Sequence, residues 1–170
     1  MEKINIAGLV NDSITDGPGI RYTVFVQGCP HNCKNCHNPQ THSFNAGVLY
    51  DVDDIFNEIK NNPLLTGVTF SGGEPLCQSK QLLPLAKKIK ESGLELAIYT
   101  GFLFEDILNN KVDGAKELLE LADVLVDGPF VDNLRDYSLK FKGSSNQRII
   151  DLHQSLPLNK VVLITDERWN

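Results

Sequence analysis

A chain of 170 residues is about one domain long and falls short of the roughly 250 residues that a closed eight-unit α/β barrel takes. Hydrophobic residues at 41% and charged residues at 22% are ordinary globular usage, which excludes a collagenous, low-complexity or wholly disordered chain. The net charge of −6 argues against a nucleic-acid footprint spread over the surface, so no nucleic-acid partner is expected.

The N-terminal run MEKINIAGLVNDS lacks a basic head followed by an apolar stretch of signal length. The longest apolar stretches, such as Val161 to Ile164, are only strand-sized. A soluble, cytoplasmic protein without a membrane span is expected. In chain order, Ile4 to Val10 reads as a strand, and the turn residues Asp16-Gly17-Pro18-Gly19 lead into a second strand over Tyr22 to Gln27. Asp51 to Asn61 carries Val52, Ile55, Phe56 and Ile59 at helical spacing and is stopped by Pro63.

The alternation continues with a strand over Gly67 to Phe70, a helix over Gln81 to Glu91 ended by Gly93, and a strand over Glu95 to Tyr99. A helix over Gly114 to Leu121 and a strand over Asp123 to Val126 follow, closed by Pro129. From Ser144 the pattern predicts a short helix carrying Ile149, Ile150 and Leu152, with Ser144 or Ser145 as its N-cap, before a last strand at Val161 to Ile164. Such alternation predicts βαβ units around a mostly parallel sheet. At this length that means an α/β fold of about five to six mostly parallel strands, as an open partial (β/α) barrel or a doubly wound sheet. Residues 1–170 are expected to form a single domain.

Cys29, Cys33 and Cys36 sit on the loop that follows the Tyr22 to Gln27 strand, with three and then two residues between them. The C-terminal end of a strand is where parallel α/β folds place their sites. Thiols crowded this closely in a reducing compartment point to metal, and three thiolates suit iron and sulfide. A cube held by three cysteines leaves one iron open to an exogenous ligand, hence to chemistry. Zinc with His31 or His37 as fourth ligand competes, as do inert thiols. Cys77 reads as a small, partly buried thiol and is not counted as a ligand.

A second loop, Ser71-Gly72-Gly73-Glu74-Pro75, follows the next strand at the same end. Paired glycines admit close backbone approach of a ligand, and Glu74 adds an acceptor for an ammonium group, although a plain turn is the commoner origin of such a pair.

The cysteine spacing together with the Gly72 to Pro75 loop resembles the radical S-adenosylmethionine superfamily. The Asp16 to Arg21 turn and the Cys36-His37-Asn38 run resemble the activases of glycyl radical enzymes within it. The stretches Leu125 to Phe130 and Gly143 to Arg148 resemble one branch, the activating proteins of anaerobic ribonucleoside-triphosphate reductase. The similarity runs from about Asn5 to Asp151. Many superfamily members carry an aromatic residue just before the third cysteine, where this chain has Asn35.

The resemblance implies a four-iron four-sulfur cluster held by Cys29, Cys33 and Cys36, with S-adenosyl-L-methionine on the open iron. The reduced cluster would give one electron, cleaving the sulfonium bond, and the adenosyl radical would take a hydrogen atom from a glycine Cα of the partner. No acid–base triad is called for. The cofactor-binding residues implied are Asn35 through its backbone, Cys36, His37, Gly72, Gly73, Glu74 and Thr100, with Val126 or Ile164 as an apolar wall. The partner implied is the large subunit of the reductase, with a low-potential electron donor such as flavodoxin and room for a homodimer. Pyruvate formate-lyase or another glycyl radical enzyme is the alternative target, and a zinc-binding interaction module the alternative of another class. His31 reads as a loop histidine bonded to backbone or as a tuner of the cluster, and Asp16 and Arg21 as a salt-bridged turn or part of the opening. Arg135, Lys140, Lys142, Arg148 and Lys160 concentrate positive charge late in an otherwise acidic chain, as a solvated face or a docking face with Arg148 at its rim.

Overall fold

The computed structural model describes residues 3–170. Four strands, β2 (Arg21–Val26), β4 (Gly67–Gly72), β5 (Glu95–Tyr99) and β6 (Val124–Asp127), lie side by side and parallel. At one edge β1 (Lys3–Ser13) and then β3 (Val48–Asp51) are added antiparallel, and at the other β7 (Arg148–Asp151) pairs antiparallel with β6. The result is one open sheet in the order β3-β1-β2-β4-β5-β6-β7. The strands number seven rather than five to six: β1 is the expected Ile4 to Val10 strand, antiparallel to β2, while β3 and β7 are edge strands that the βαβ pattern does not announce.

Both faces of β6 are buried and apolar, which is why its run Val124-Leu125-Val126 shows no alternation. Val24, Phe70, Ile98, Leu125 and Ile150 pack against the helices α1 (Val52–Lys60), α2 (Ser79–Glu91), α3 (Phe104–Leu108), α4 (Ala115–Leu119) and α5 (Leu152–Leu158). Ala97, Val124, Val126 and Ile149 point to the other face and are covered by Trp169 and Phe141. On that second face Arg21, fully buried, pairs with Glu95 at 2.8 Å, donates to the Thr69 hydroxyl at 2.8 Å and lies under the Trp169 ring. Asp16 instead accepts from the hydroxyls of Ser13 and Thr23. The expected salt-bridged turn is therefore absent, and Asp16 and Arg21 are linked instead through Thr69, whose hydroxyl accepts from Arg21 and donates to the Asp16 carbonyl.

The predicted helix from Ser144 is a strand, β7. Ile149 and Ile150 enter the two opposite cores, a period of two that a helix cannot give, and Asp127 accepts from Arg148 at 2.9 Å at the strand's start. Ser144 caps nothing: it is buried, and its hydroxyl accepts from the Val131 N–H at 3.2 Å. The N-cap of α5 is Asp151, whose carboxylate accepts from the Gln154 N–H. Val161 to Ile164 is an extended segment beside β7, joined to it through Asp151 N–H to the Val162 carbonyl (2.9 Å) and an isolated bridge from Leu163 to Ile150, rather than a regular strand.

Candidate metal centre

Val26 ends β2, and the chain then makes a closed excursion. Gly28 N–H donates to the Thr41 carbonyl at 2.6 Å and Cys29 N–H to the His42 carbonyl at 3.1 Å, so the twelve residues between return to where they left. Buried Gln27 braces the loop from beneath by donating to the carbonyls of Gln40 (3.1 Å) and Ser43 (2.7 Å). Cys29, Cys33 and Cys36 are all half-buried and line one cavity of about 120 Å³ with Gly72, Gly73, Thr100 and Gly128. The sites at the ends of β2, β4, β5 and β6 thus meet at the C-terminal edge of the parallel strands.

The glycine loop is stitched into the cysteine loop. Gly73 N–H donates to the Val26 carbonyl and Glu74 N–H to the Gly28 carbonyl, both at 2.8 Å. A Cβ on Gly73 would stand 2.4 Å from the Gly28 carbonyl oxygen and 2.9 Å from that of Thr41, so glycine is required by the cysteine loop's own backbone. At Gly72, with φ of +99°, a Cβ would strike the backbone of Val26 at 2.6 Å.

Glu74 does not line the cavity that holds the cysteines. Its carboxylate is fully buried and accepts from Leu76 N–H (3.0 Å), Gly101 N–H (2.8 Å) and the Thr100 hydroxyl (2.8 and 2.9 Å), with His31 Nε2 at 2.5 Å. It is a knot tying the loops after β2, β4 and β5 together. The partner of His31 is therefore a side chain rather than backbone, and the imidazole edge also packs on Phe102. His37 lies against Phe130, with ring centres 4.9 Å apart. His42, which carries no spacing signal in the sequence, lines the small cavity.

Of the histidines offered as a fourth zinc ligand, His31 lines the cysteine cavity but has its Nε2 bound to Glu74, and His37 lies against Phe130 and lines the neighbouring cavity. Among the described residues no three His, Cys, Asp or Glu side chains close around one ion-sized point. A cube takes each thiolate on a separate iron, so it accepts sulfurs that share a cavity without touching. Burial pushes the Cys29 thiol up to about 11, and it raises Cys33 too, partly opposed by the Phe130 backbone N–H. Burial thus favours the protonated form of Cys29 and Cys33, and metal binding would displace those protons. Cys77 is exposed rather than partly buried, and it does not line the cavity.

Cys36, Ser71, Tyr99, Phe130 and Gln147 also line a second cavity of about 340 Å³, which extends to Asp16, His37, Phe141 and Lys142. Its aromatic wall is Tyr99, Phe130 and Phe141. Val126 is buried in the core and Ile164 lies elsewhere, so neither supplies the expected wall. Asn35 is exposed and lines neither cavity. A larger groove of about 580 Å³, with Lys90, Glu95, Asp123 and Ile164, lies at the opposite ends of the strands and shares no lining residue with the two cavities.

The run from Gly143 to Arg148 holds the loop after β6. Gln147 accepts from Gly143 N–H (2.8 Å) and donates to the Gly128 carbonyl (3.1 Å), and Asn146 donates to the Pro129 carbonyl (2.8 Å). Arg148 is bound by Asp127 and Glu105, whose carboxylates drive its pKa upward, so it is no free cation at the rim.

Thiols that share one cavity, beside a second cavity with common lining residues at the C-terminal edge of a parallel sheet, mark an iron–sulfur protein of the open α/β class. Comparison with known proteins agrees. The family model for the 4Fe-4S single cluster domain matches residues 15–150. The anaerobic ribonucleoside-triphosphate reductase-activating protein of Haemophilus influenzae is 35% identical over 144 residues, 80% of this chain and 90% of that protein. Its namesake from Escherichia coli K12 is 34% identical over 142 residues, 79% of this chain and 90% of that protein. The chain belongs to the family of anaerobic ribonucleoside-triphosphate reductase-activating proteins. Among solved structures, QueE from Escherichia coli matches 58% of this chain and 53% of its own at 18% identity and a TM-score of 0.49, too distant a likeness to assign the fold.

Proposed function

We propose that the protein is a radical S-adenosylmethionine activase that installs a glycyl radical on anaerobic ribonucleoside-triphosphate reductase. In this reading residues 1–170 are one unit whose parallel strands curve as an open partial barrel, with the cysteine loop after its first barrel strand. The observation that carries it is that Cys36 lines both cavities, so a cluster held by Cys29, Cys33 and Cys36 would stand against a chamber able to take a nucleoside-sized cofactor.

When bound, a reduced four-iron four-sulfur cluster with S-adenosyl-L-methionine supplies one electron and the adenosyl group that takes a hydrogen atom. The protein's residues do the holding. Gly72, Gly73 and Thr100 line the methionine end, while Cys36 and His37 border the nucleoside end. Glu74 fixes Thr100 and Gly101 from below, and Asn35 acts from outside the chamber. Phe130, Leu139 and Phe141 exclude water. The Tyr99 hydroxyl, its pKa raised by burial, stays neutral and donates to the Phe141 carbonyl at 2.8 Å, keeping that wall in place.

Among the described residues no helix is long and apolar enough to cross a membrane. The reading takes the protein as cytoplasmic, supplied by a low-potential donor such as flavodoxin, and able to form a homodimer. Reduced, cluster-loaded protein mixed with S-adenosylmethionine and the reductase large subunit should release 5′-deoxyadenosine and give a doublet glycyl radical signal in electron paramagnetic resonance. Pyruvate formate-lyase in its place should give little radical. A strong signal from the lyase alone would move the target to the rival branch.

A further inference from the structure

The segment from Pro129 to Gly143 leaves β6 and crosses the cysteine loop, and one arginine does most of the gripping. Arg135 Nη2 donates to the main-chain carbonyl of Asn35 at 2.8 Å, across a hundred positions of sequence, and pairs with Asp132 at 3.3 Å. Its Nη1 donates to the Tyr137 hydroxyl at 2.7 Å, and the guanidinium stacks 5.1 Å over the Phe130 ring and 5.6 Å over that of Tyr137. Asp132 in turn accepts from the Asn35 side-chain amide at 3.0 Å. Asn35 is thus seized by both its carbonyl and its side chain.

Asn35 stands between Cys33 and Cys36, in the left-handed region with φ of +55°, inside a turn closed by Cys36 N–H to the Cys33 carbonyl at 3.3 Å. No helix or strand fixes the two sulfurs, so their directions depend on that turn. The gripping segment is itself anchored, because Ser145 N–H donates to the Leu134 carbonyl at 2.9 Å and Arg135 forms a bridge with Ser144. An isolated surface ion pair stabilises little, but this one is a network joined to main chain and two aromatic rings.

We propose that Arg135, with Asp132, is a clasp that holds the Cys33 to Cys36 turn in its cluster-receiving geometry, which makes Arg135 a positioning residue for the metal centre. The inference rests on the cluster assignment above. Only a planar fork can serve a carbonyl, a carboxylate and a hydroxyl while stacked on a ring, so lysine is a poor replacement.

The test compares wild type, Arg135→Gln, Arg135→Lys and, as a reference, Arg168→Gln, whose arginine binds Asp166 and Glu95 at the far end of the sheet. Each protein is reconstituted anaerobically with iron and sulfide, then given an excess of a ferrous chelator. Arg135→Gln should release iron about tenfold faster than wild type, the usual scale for outer-shell partners of a metal site. Its reduced cluster should show broadened resonance lines, while the empty proteins melt alike. Arg135→Lys should behave like Arg135→Gln, and Arg168→Gln like wild type. Equal release rates and unchanged lines in Arg135→Gln would overturn the clasp, as would a release that tracks a lowered melting temperature of the empty protein. Wild-type protein that takes up no iron would overturn the cluster assignment instead.

Discussion

Glu74 and His31 meet at 2.5 Å, a carboxylate sealed from solvent against an imidazole of the neighbouring loop. The same carboxylate accepts from Thr100, Gly101 and Leu76, so it faces donors on every side. Glu74→Gln would set an amide NH₂ among them and strand at least one buried donor. The expected cost is about 1–3 kcal/mol of stability, read by urea unfolding of the empty protein. Unfolding at the wild-type midpoint would show that the knot contributes nothing.

Gly73→Ala should damage the cysteine loop before it touches cofactor binding. The added Cβ would press on the carbonyls of Gly28 and Thr41, and relief requires backbone movement. We expect about 1–3 kcal/mol of destabilisation, together with poor iron retention after reconstitution. A variant that keeps full iron yet loses S-adenosylmethionine affinity by calorimetry would place Gly73 against the cofactor alone.

Acid should weaken the fold through Asp123. Burial pushes its carboxyl up, but hydrogen bonds from Lys90, the Leu96 N–H and His153 outweigh this and hold it below the usual 3.8. A depressed folded-state value means that the stabilisation is complete above the unfolded value and disappears as pH falls through the folded one. Glu105, held down by Arg148, acts in the same direction. Urea midpoints measured between about pH 2 and pH 6 should fall on the acid side, and Asp123→Asn should flatten that fall while lowering the neutral midpoint. A parallel pH profile in the variant would contradict this.

Strand β5 ran over Glu95 to Tyr99 as its apolar run and flanking Gly93 foretold, and the cysteine and glycine loops fell at strand ends as expected. Local signals of this kind survive because one strand or one loop contains them. The stretch from Ser144 misled because Ile149 and Leu152, three apart, mimic a helical stripe, while paired serines mimic a cap. Only a neighbouring strand, β6, makes Ile149 and Ile150 diverge to opposite cores. Strand β3 lies at the sheet edge with both Val48 and Leu49 exposed, so no alternation of buried and exposed positions marks it. The role of Glu74 as a knot across loops and the grip of Arg135 on Asn35 depend on partners 26 to 100 positions away, which no spacing within a single sequence encodes.

The cluster assignment is tested most directly by metal content after anaerobic reconstitution of the wild type and the single variants Cys29→Ala, Cys33→Ala, Cys36→Ala and Cys77→Ala. Wild type and Cys77→Ala should each bind about four iron and four sulfide per chain, and the other three should retain little of either. Full occupancy by zinc in the wild type, or loss of iron in Cys77→Ala equal to that in the loop variants, would contradict the account.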